Sequence, residues 1–226
     1  MQALQHHLAH TPADAVFILG DLFEAWVGDD ARHAGFEAEC AALLCAGARR
    51  RHLAFMQGNR DFLVGADLLG ACDMQALTDP TLLRAFGDCI LLTHGDALCT
   101  GDLAYQRYRT RVRSPAWQAE FLARPLPQRR EAVAQMRSES REHQARQGLA
   151  AGIDLDPAST AGWMRAAGAA TLVHGHTHRP GRHQVAPGLT RHVLADWDFD
   201  AAGPPRGDVL RWTAQGLARV APATAP

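Results

Sequence analysis

Apolar and polar positions alternate along this chain in a way that predicts short buried strands, separated by loops and helices. The run AVFIL at 15–19 has the length and the β-branched content of a buried strand. Similar runs predict further strands at 52–56, 82–86, 89–93, 171–173, 191–194, 208–212 and 217–220. A turn at Gly87-Asp88 joins the strands at 82–86 and 89–93 into a predicted hairpin.

Helical periodicity fills several of the segments between the strands. Leu4 and Leu8 share one face of a predicted helix over residues 1–10. Further helices are predicted at 37–48, at 67–70 and after Asp156-Pro157. From 102 to 147 the pattern changes to long, arginine-rich helices, which we expect to be broken at Pro115, Pro125 and Pro127.

This order of elements favours a single α/β domain that carries a helical insert. The chain has 226 residues, 47 % of them hydrophobic, which is enough for one domain with a sizeable core. Strand–loop–helix units come first, the insert occupies about 103–147, and a β-rich segment follows it. No internal repeat is visible, so we expect one domain over 1–226.

Four polar clusters each follow an apolar run that is predicted to be a strand. They are Gly20-Asp21, Gly58-Asn59-Arg60-Asp61, His94-Gly95-Asp96 and Gly175-His176-Thr177-His178. In open α/β sheets, ligands bind beyond the carboxyl ends of the strands. We therefore expect separate loops to bring carboxylate, amide and imidazole donors to one end of the sheet.

Each cluster taken alone has an ordinary structural explanation. Gly-Asp after a strand is usually a turn, and a lone His94 would often be a hydrogen-bonded core residue. Gly-His-x-His is a stronger signal, because two imidazoles at the end of a strand point to the same side. The order Asp, Asn, His and His-x-His predicts a metal site for Mn²⁺, Fe²⁺ or Zn²⁺, at which two ions could activate water against a phosphoester.

The wording of these stretches resembles one family closely. The segments 18–30 (ILGDLFEAWVGDD), 58–65 (GNRDFLVG), 93–102 (THGDALCTGD) and 173–180 (VHGHTHRP) are similar to the UDP-2,3-diacylglucosamine hydrolases, which are calcineurin-like metallophosphoesterases. The resemblance implies a layered α/β/β/α sandwich with a helical lid insert. It also implies hydrolysis of a UDP-linked glycolipid at its pyrophosphate, which yields UMP and 2,3-diacylglucosamine 1-phosphate in lipid A synthesis, with two Mn²⁺ ions.

The same resemblance assigns roles to particular residues. It implies that Asp21 bridges two ions, that Asn59, His94 and His176 bind one ion, and that His178 binds the other. Asp21, Asn59, His94 and His176 would form the catalytic set. The implied substrate-binding residues are Asn59, Arg60, Asp102, Ser140, Gln144, Gln147 and His176. The family often has Asn and Lys where this chain has Gln144 and Gln147, and Arg141 and Arg146 lie near enough to substitute.

One departure concerns the beginning of the chain. The family pattern opens with Asp-x-His after a first strand, whereas the 20 residues before Asp21 contain no Asp-x-His. The first β-strand is therefore expected to be missing, through a start at an internal Met or a truncation, and one ion keeps only Asp21 and His178. We expect His6, His7 and His10 to be solvated on the polar side of their helix rather than to fill the gap. An inactive metal-binding relative is the alternative function that this departure motivates.

Charge bears on the possible partners of the chain and on the role of the insert. The 23 basic residues are all arginine and the net charge is -1, which argues against nucleic-acid binding. The insert is either a lid that holds acyl chains and meets phosphates or an anionic membrane, or an ordinary amphipathic hairpin. A phosphoesterase for a soluble nucleotide is a further alternative.

The sequence says less about the cellular compartment and the oligomeric state. Five cysteines with no C-x-x-C pair predict reduced thiols rather than disulfides. No apolar run reaches about 18 residues, and no signal peptide is visible. The resemblance implies peripheral association with the cytoplasmic face of the inner membrane, and the oligomeric state stays open.

Overall fold

The computed structural model of the chain describes residues 1–146, 154–200 and 203–223. The helices are α1 (Gln2–His10), α2 (Gly35–Ala48), α3 (Ala66–Ala71), α4 (Leu103–Val112), α5 (Pro115–Leu122), α6 (Leu126–Arg146) and α7 (Pro157–Ala167). The strands are β1 (Ala15–Leu19), β2 (His52–Met56), β3 (Gln75–Leu77), β4 (Thr81–Ala85), β5 (Asp88–Thr93), β6 (Thr171–His174), β7 (Gly181–Ala186), β8 (Leu189–Val193), β9 (Val209–Thr213) and β10 (Gly216–Val220). Short 3₁₀ helices occupy Asp29–His33 and Asp96–Leu98.

The strands form three sheets. A parallel sheet has the order β1-β2-β3, and a mixed sheet has the order β4-β5-β6-β8-β7, in which β5, β6 and β8 run parallel. Strands β9 and β10 form an antiparallel hairpin. Among the described residues, β1 pairs with β2 and no strand pairs with its other edge.

Successive side chains of the strands point to opposite faces, and this alternation builds three apolar cores. Leu92 of β5 and Val173 of β6 face the three-stranded sheet and form one core with Leu19 of β1 and Met56 of β2. Their neighbours Leu91 and Leu172 face the other way, toward Met164 of α7. A third core lies between the three-stranded sheet and helices α1–α3, and α4–α6 pack against it through residues such as Val112 and Phe121. The mixed α/β sandwich expected from the sequence is confirmed.

Capping residues explain where the helices of the insert begin. The backbone N–H of Tyr105 donates to Asp102 Oδ1 at 2.9 Å, which caps α4. Ser114 caps α5 in the same way, and Pro115 occupies the first turn, where no N–H is required. Pro127 lies within the first turn of α6, so the predicted break at this proline is wrong for the same physical reason.

The sequence did not predict strands β3 and β7, and it placed one turn a residue too late. Strand β3 has only three residues, and β7 (GRHQVA) is too polar to stand out as a buried run. The hairpin between β4 and β5 turns at 86–87, one residue earlier than predicted. Gly87 adopts a φ of 83° there, a conformation that costs glycine little.

Side-chain environments overturn two predictions from the N-terminal half. Cys45 and Cys72 form a disulfide, because the ends of α2 and α3 bring their Cα atoms to 4.1 Å across 27 residues of sequence. The prediction of reduced thiols is therefore wrong for this pair, while Cys40, Cys89 and Cys99 remain thiols. His7 is buried instead of solvated: it accepts a hydrogen bond from the N–H of Ala223 at 3.0 Å.

None of the helices in the described ranges combines the length and the apolar character that a membrane span requires.

Candidate metal centre

The four polar clusters follow strands β1, β2, β5 and β6, and their loops meet where the two sheets face each other. Gly20 has a φ of 82°, and a Cβ atom at this position would collide with the backbone of Gly58. Gly58 in turn lies against Asp21, so the first two loops can approach only because both positions lack a side chain. Close contact between glycines therefore brings the β1 and β2 loops together.

Donor atoms from these loops converge. Asp21, His94 and His176 each offer an atom, and these atoms all lie within 4.8 Å of one another. Asn59 Oδ1 lies 3.0 Å from His94 Nε2 and 2.8 Å from His176 Nδ1. Asp21 Oδ1 is 3.7 Å from His94 Nε2. Donors about 2.1 Å from one ion and at right angles around it are about 3 Å apart, so the spacing fits a common ion.

The hydrogen bonds of the His94 ring strengthen this fit. Its Nδ1 atom is 2.8 Å from the carbonyl oxygen of Leu19, which can only accept, so Nδ1 carries the proton. Nε2 faces the carboxylate of Asp21 and the amide oxygen of Asn59, and the backbone N–H of Asn59 donates to it at 3.4 Å. The carboxylate and amide oxygens can only accept hydrogen bonds, so a cation bound between these groups would offset the repulsion between them.

Burial keeps the second imidazole neutral. Burial, followed by the neighbouring His94, lowers the pKa of His176 to about 4. A neutral imidazole is the form that binds a metal ion, so His176 is ready to act as a ligand at neutral pH. His174, two residues earlier, is fully buried, and burial lowers its pKa to about 3.

Backbone strain is concentrated at the same loops. Asp21, His176 and His178 have φ values of 54°, 66° and 53°, in the left-handed region that residues with a side chain seldom adopt. Such conformations persist where the surrounding structure enforces them, and they cluster at functional sites. The three residues are thus held at a cost in backbone energy.

Asp61 holds two of the loops together. Its carboxylate accepts hydrogen bonds from the N–H groups of Gly58 and Leu22, each at 2.7 Å. Burial and then the charge of Asp21 raise the pKa of Asp61 above its ordinary value. Asp61 lies within one of the predicted clusters, but the sequence did not indicate this bridging contact. Leu22 and Asp61 are 39 residues apart along the chain.

Two predicted substrate residues lie near the donors. Arg60 donates its backbone N–H to Asp21 Oδ1 at 2.9 Å, and its guanidinium pairs with Glu24 at 2.6 Å. Asp102 caps α4, so one of its carboxylate oxygens is already engaged. The side chains of Ser140 and Gln144, and the whole of Gln147, lie outside the described residues.

His178 stands apart from the donor group. Its side chain is 45 % exposed, and its Nδ1 atom is 3.9 Å from Asp196 Oδ2. It does not belong to the set of mutually close donors formed by Asp21, His94 and His176. The structure therefore brings together four of the five predicted ligands.

A second network, next to the donors, joins the insert to the centre. Asp96 is fully buried and accepts hydrogen bonds from Tyr105 Oη at 2.6 Å and Arg109 Nε at 2.9 Å. Although burial alone would raise the pKa of Asp96, the charges of His94, Arg113 and Arg109 hold it well below its ordinary value. No local sequence signal pairs Asp96 with arginines one helix away.

An α/β sandwich with oxygen and nitrogen donors at the ends of its strands has the architecture of the metallophosphoesterases, a class of metal-dependent hydrolases. No protein-family model matches the chain. A UDP-2,3-diacylglucosamine hydrolase from Bordetella pertussis is 42 % identical over 210 residues, which cover 91 % of this chain and 81 % of that protein. One from Xanthomonas campestris pv. campestris is 42 % identical over 215 residues, which cover 91 % and 85 %.

The chain therefore belongs to the UDP-2,3-diacylglucosamine hydrolase family and is a hydrolytic enzyme. This confirms the family that the sequence motifs indicated. Among solved structures, a phosphopantetheinyl hydrolase from Mycobacterium tuberculosis is similar at a TM-score of 0.39 with 16 % identity, covering 84 % of this chain and 87 % of that chain. A likeness at that level adds nothing to the assignment.

Proposed function

We propose that the chain hydrolyses the pyrophosphate bond of UDP-2,3-diacylglucosamine, releasing UMP and 2,3-diacylglucosamine 1-phosphate with the help of Mn²⁺. Family membership supplies the substrate class. The observation that carries the proposal is the convergence of Asp21, Asn59, His94 and His176 on one point between the sheets. Divalent ions bound there would activate a water molecule and stabilise the charge that builds on the phosphoryl oxygens.

The protein's own residues have separate tasks in this proposal. Asp21, Asn59, His94 and His176 hold the metal. Arg60 lies beside Asp21 and is 27 % exposed, so its guanidinium can exchange the exposed carboxylate of Glu24 for a substrate phosphate. Asp102, Ser140, Gln144 and Gln147 are proposed to contact the sugar and phosphate, in the roles that the resemblance implies.

The helices at about 103–147 are proposed to form the lid. Val112 and Phe121 are buried in the core beside the three-stranded sheet, whereas Tyr108, Trp117 and Met136 pack against it only in part. The partly buried apolar side chains of these helices support the holding of acyl chains. An ordinary amphipathic hairpin would instead leave activity independent of acyl-chain length.

We also propose that the chain binds peripherally to a membrane. Leu103 and Leu122 are 65 % and 40 % exposed on the insert, which supports contact with a lipid surface. Co-sedimentation with anionic liposomes at low and high salt tests it. Absence of binding at both salt concentrations would contradict membrane association but not the hydrolysis.

A UMP-release assay tests the main proposal. The chain, stripped with a chelator, is incubated with UDP-2,3-diacylglucosamine with and without Mn²⁺; we expect release only with Mn²⁺. Asp21→Asn should abolish it, while Asp67→Asn, at an exposed position on α3, should not. Equal release from UDP-glucose would instead favour a phosphoesterase for soluble nucleotides.

One observation favours a second candidate, an inactive metal-binding relative. His178 lies outside the donor group, so the described residues offer one ion site with several converging ligands. Metal content per chain separates the two functions. Two ions and UMP release support the hydrolase; one ion and no turnover support the inactive relative.

A further inference from the structure

Helix α4, the first helix of the insert, contacts several of the metal loops directly. Tyr105 and Arg109 donate to the buried carboxylate of Asp96, which lies two residues after His94. The ring of Tyr105 stacks on the ring of His176, with centroids 6.0 Å apart. The beginning of the insert is therefore packed against the donor groups that the proposed function uses.

Arg113 follows the last residue of α4 and joins two of these loops through a single nitrogen atom. Its Nη2 atom donates to the carbonyl oxygen of Gly58 at 3.0 Å and lies 3.4 Å from Asp96 Oδ2. The side chain is 18 % exposed, so most of it is shielded from water. Gly58 directly precedes Asn59, and Asp96 follows His94 by two residues, so the contact connects two donor-bearing loops.

Asn59 directly follows the Gly58 carbonyl that Arg113 binds. Its Oδ1 atom must reach both His94 Nε2 and His176 Nδ1, which belong to loops of the other sheet. The peptide between Gly58 and Asn59 fixes where that side chain starts. A guanidinium held by a buried carboxylate and bonded to the Gly58 carbonyl restricts the orientation of this peptide.

We propose that Arg113 is a positioning residue of the metal centre, which places Asn59 by holding the Gly58 carbonyl against Asp96. The inference rests on the proposed metal site and adds to it a residue that no motif contains. It also means that the seating of the insert and the affinity for metal depend on each other, because the same side chain belongs to the insert and holds a donor loop.

Metal affinity is the direct test. Arg113→Met removes both contacts, and Arg113→Lys keeps a charged nitrogen donor on a flexible chain. Arg107→Met is the matched control, because Arg107 is exposed on the same helix. Calorimetric titration of the chelator-stripped proteins with MnCl₂ should give a Kd raised about tenfold for Arg113→Met, the scale seen for groups that orient metal ligands. The rise should be smaller for Arg113→Lys and absent for Arg107→Met.

Two further readouts separate positioning from general stability. The visible absorption spectrum of the Co²⁺-loaded chain reports the ligand arrangement, and we expect it to change in Arg113→Met only. Activity of Arg113→Met should recover as Mn²⁺ approaches saturation with KM for the substrate unchanged. Thermal unfolding of the metal-free variants shows whether they are folded.

The outcomes are distinct. A folded Arg113→Met that binds Mn²⁺ as tightly as the wild type overturns the inference and leaves the proposed function intact. A wild-type chain that neither binds Mn²⁺ nor releases UMP overturns the proposed function itself. Where Arg113→Met does not fold, Arg113→Lys decides: weakened Mn²⁺ binding supports the inference and unchanged binding overturns it.

Discussion

His94 makes different contacts through its two ring nitrogens, and this difference determines what the residue can do. Nδ1 donates to the Leu19 carbonyl at 2.8 Å, which fixes the ring and its tautomer. Nε2 lies 3.0 Å from Asn59 Oδ1 and 3.7 Å from Asp21 Oδ1. The hydrogen bond to Leu19, at the end of β1, thus orients the ring of His94, which follows a strand of the other sheet.

Replacing His94 tests this orientation at the residue scale. His94→Ala should lower kcat by at least about a hundredfold, because a ligand should matter no less than the groups that orient ligands. Steady-state UMP release measures this. His33→Ala, at an exposed position, is the control and should leave kcat unchanged. Unaltered kinetics in His94→Ala would remove His94 from the proposed centre.

Residues of the site differ in how far the sequence could indicate them. Asp21, Asn59, His94 and His176 lie in contiguous motifs that end strands, so their convergence could be predicted. Arg113 could not, because its contact with Gly58 spans 55 residues and depends on where α4 packs. His178 shares a motif with His176, yet its side chain turns toward Asp196.

Among the elements, helix α6 has a buried cation near its beginning that contacts the rest of the domain. Arg129 is 3 % exposed and donates to the backbone carbonyl oxygens of Val27 and Arg124 as well as to Asp30. This contact fixes the beginning of α6 against the loop after β1. The neighbouring Arg130 is 48 % exposed and pairs with Glu37 at 2.9 Å.

The two adjacent arginines provide a matched comparison. Arg129→Met should lower the free energy of unfolding by about 2 kcal/mol, because buried carbonyl groups lose their donors. Arg130→Met should cost less than about 1 kcal/mol, since exposed ion pairs contribute little. Urea denaturation of both variants measures the difference. Equal losses would show that burial of Arg129 is not what anchors α6.

Elements with a strong local pattern were predictable and the others were not. The strands at 15–19 and 52–56 have the predicted bounds, because uninterrupted apolar runs specify them. Strand β3 pairs with β2 through only three residues, so tertiary pairing and not local pattern forms it. Strand β7 lies at a sheet edge, where polar residues are tolerated.

For the whole molecule, buried histidines make stability depend on pH. Burial, followed by the charges of Arg51 and Arg211, lowers the pKa of His7 from its ordinary value of 6.5. The pKa of His192 is lowered mainly by burial as well. At these two sites the folded state binds fewer protons than the unfolded chain as the pH falls below 6.5. Their contribution to stability is therefore full above that pH and is lost as the pH decreases.

His7→Gln isolates one contribution. Its free energy of unfolding should fall less steeply than that of the wild type between pH 7 and pH 5, with a difference of at most about 1.4 kcal/mol per pH unit. His10→Gln, on the exposed side of α1, should follow the wild type. Comparing variants is necessary because the raised pKa of Asp61 works in the opposite direction. Parallel profiles for His7→Gln and wild type would contradict the assignment.

The four donors come in pairs from different sheets: Asp21 and Asn59 follow strands of the three-stranded sheet, and His94 and His176 follow strands of the five-stranded sheet. An ion held by all four would act as a cross-link between the two halves of the sandwich. Separating the halves would then require losing the ion, so folding and ion occupancy are linked thermodynamically. At a free Mn²⁺ concentration of a hundred times Kd, this linkage adds about 2.7 kcal/mol to the free energy of unfolding. Chelation should lower the melting temperature accordingly, and the loss should vanish in Asp21→Asn.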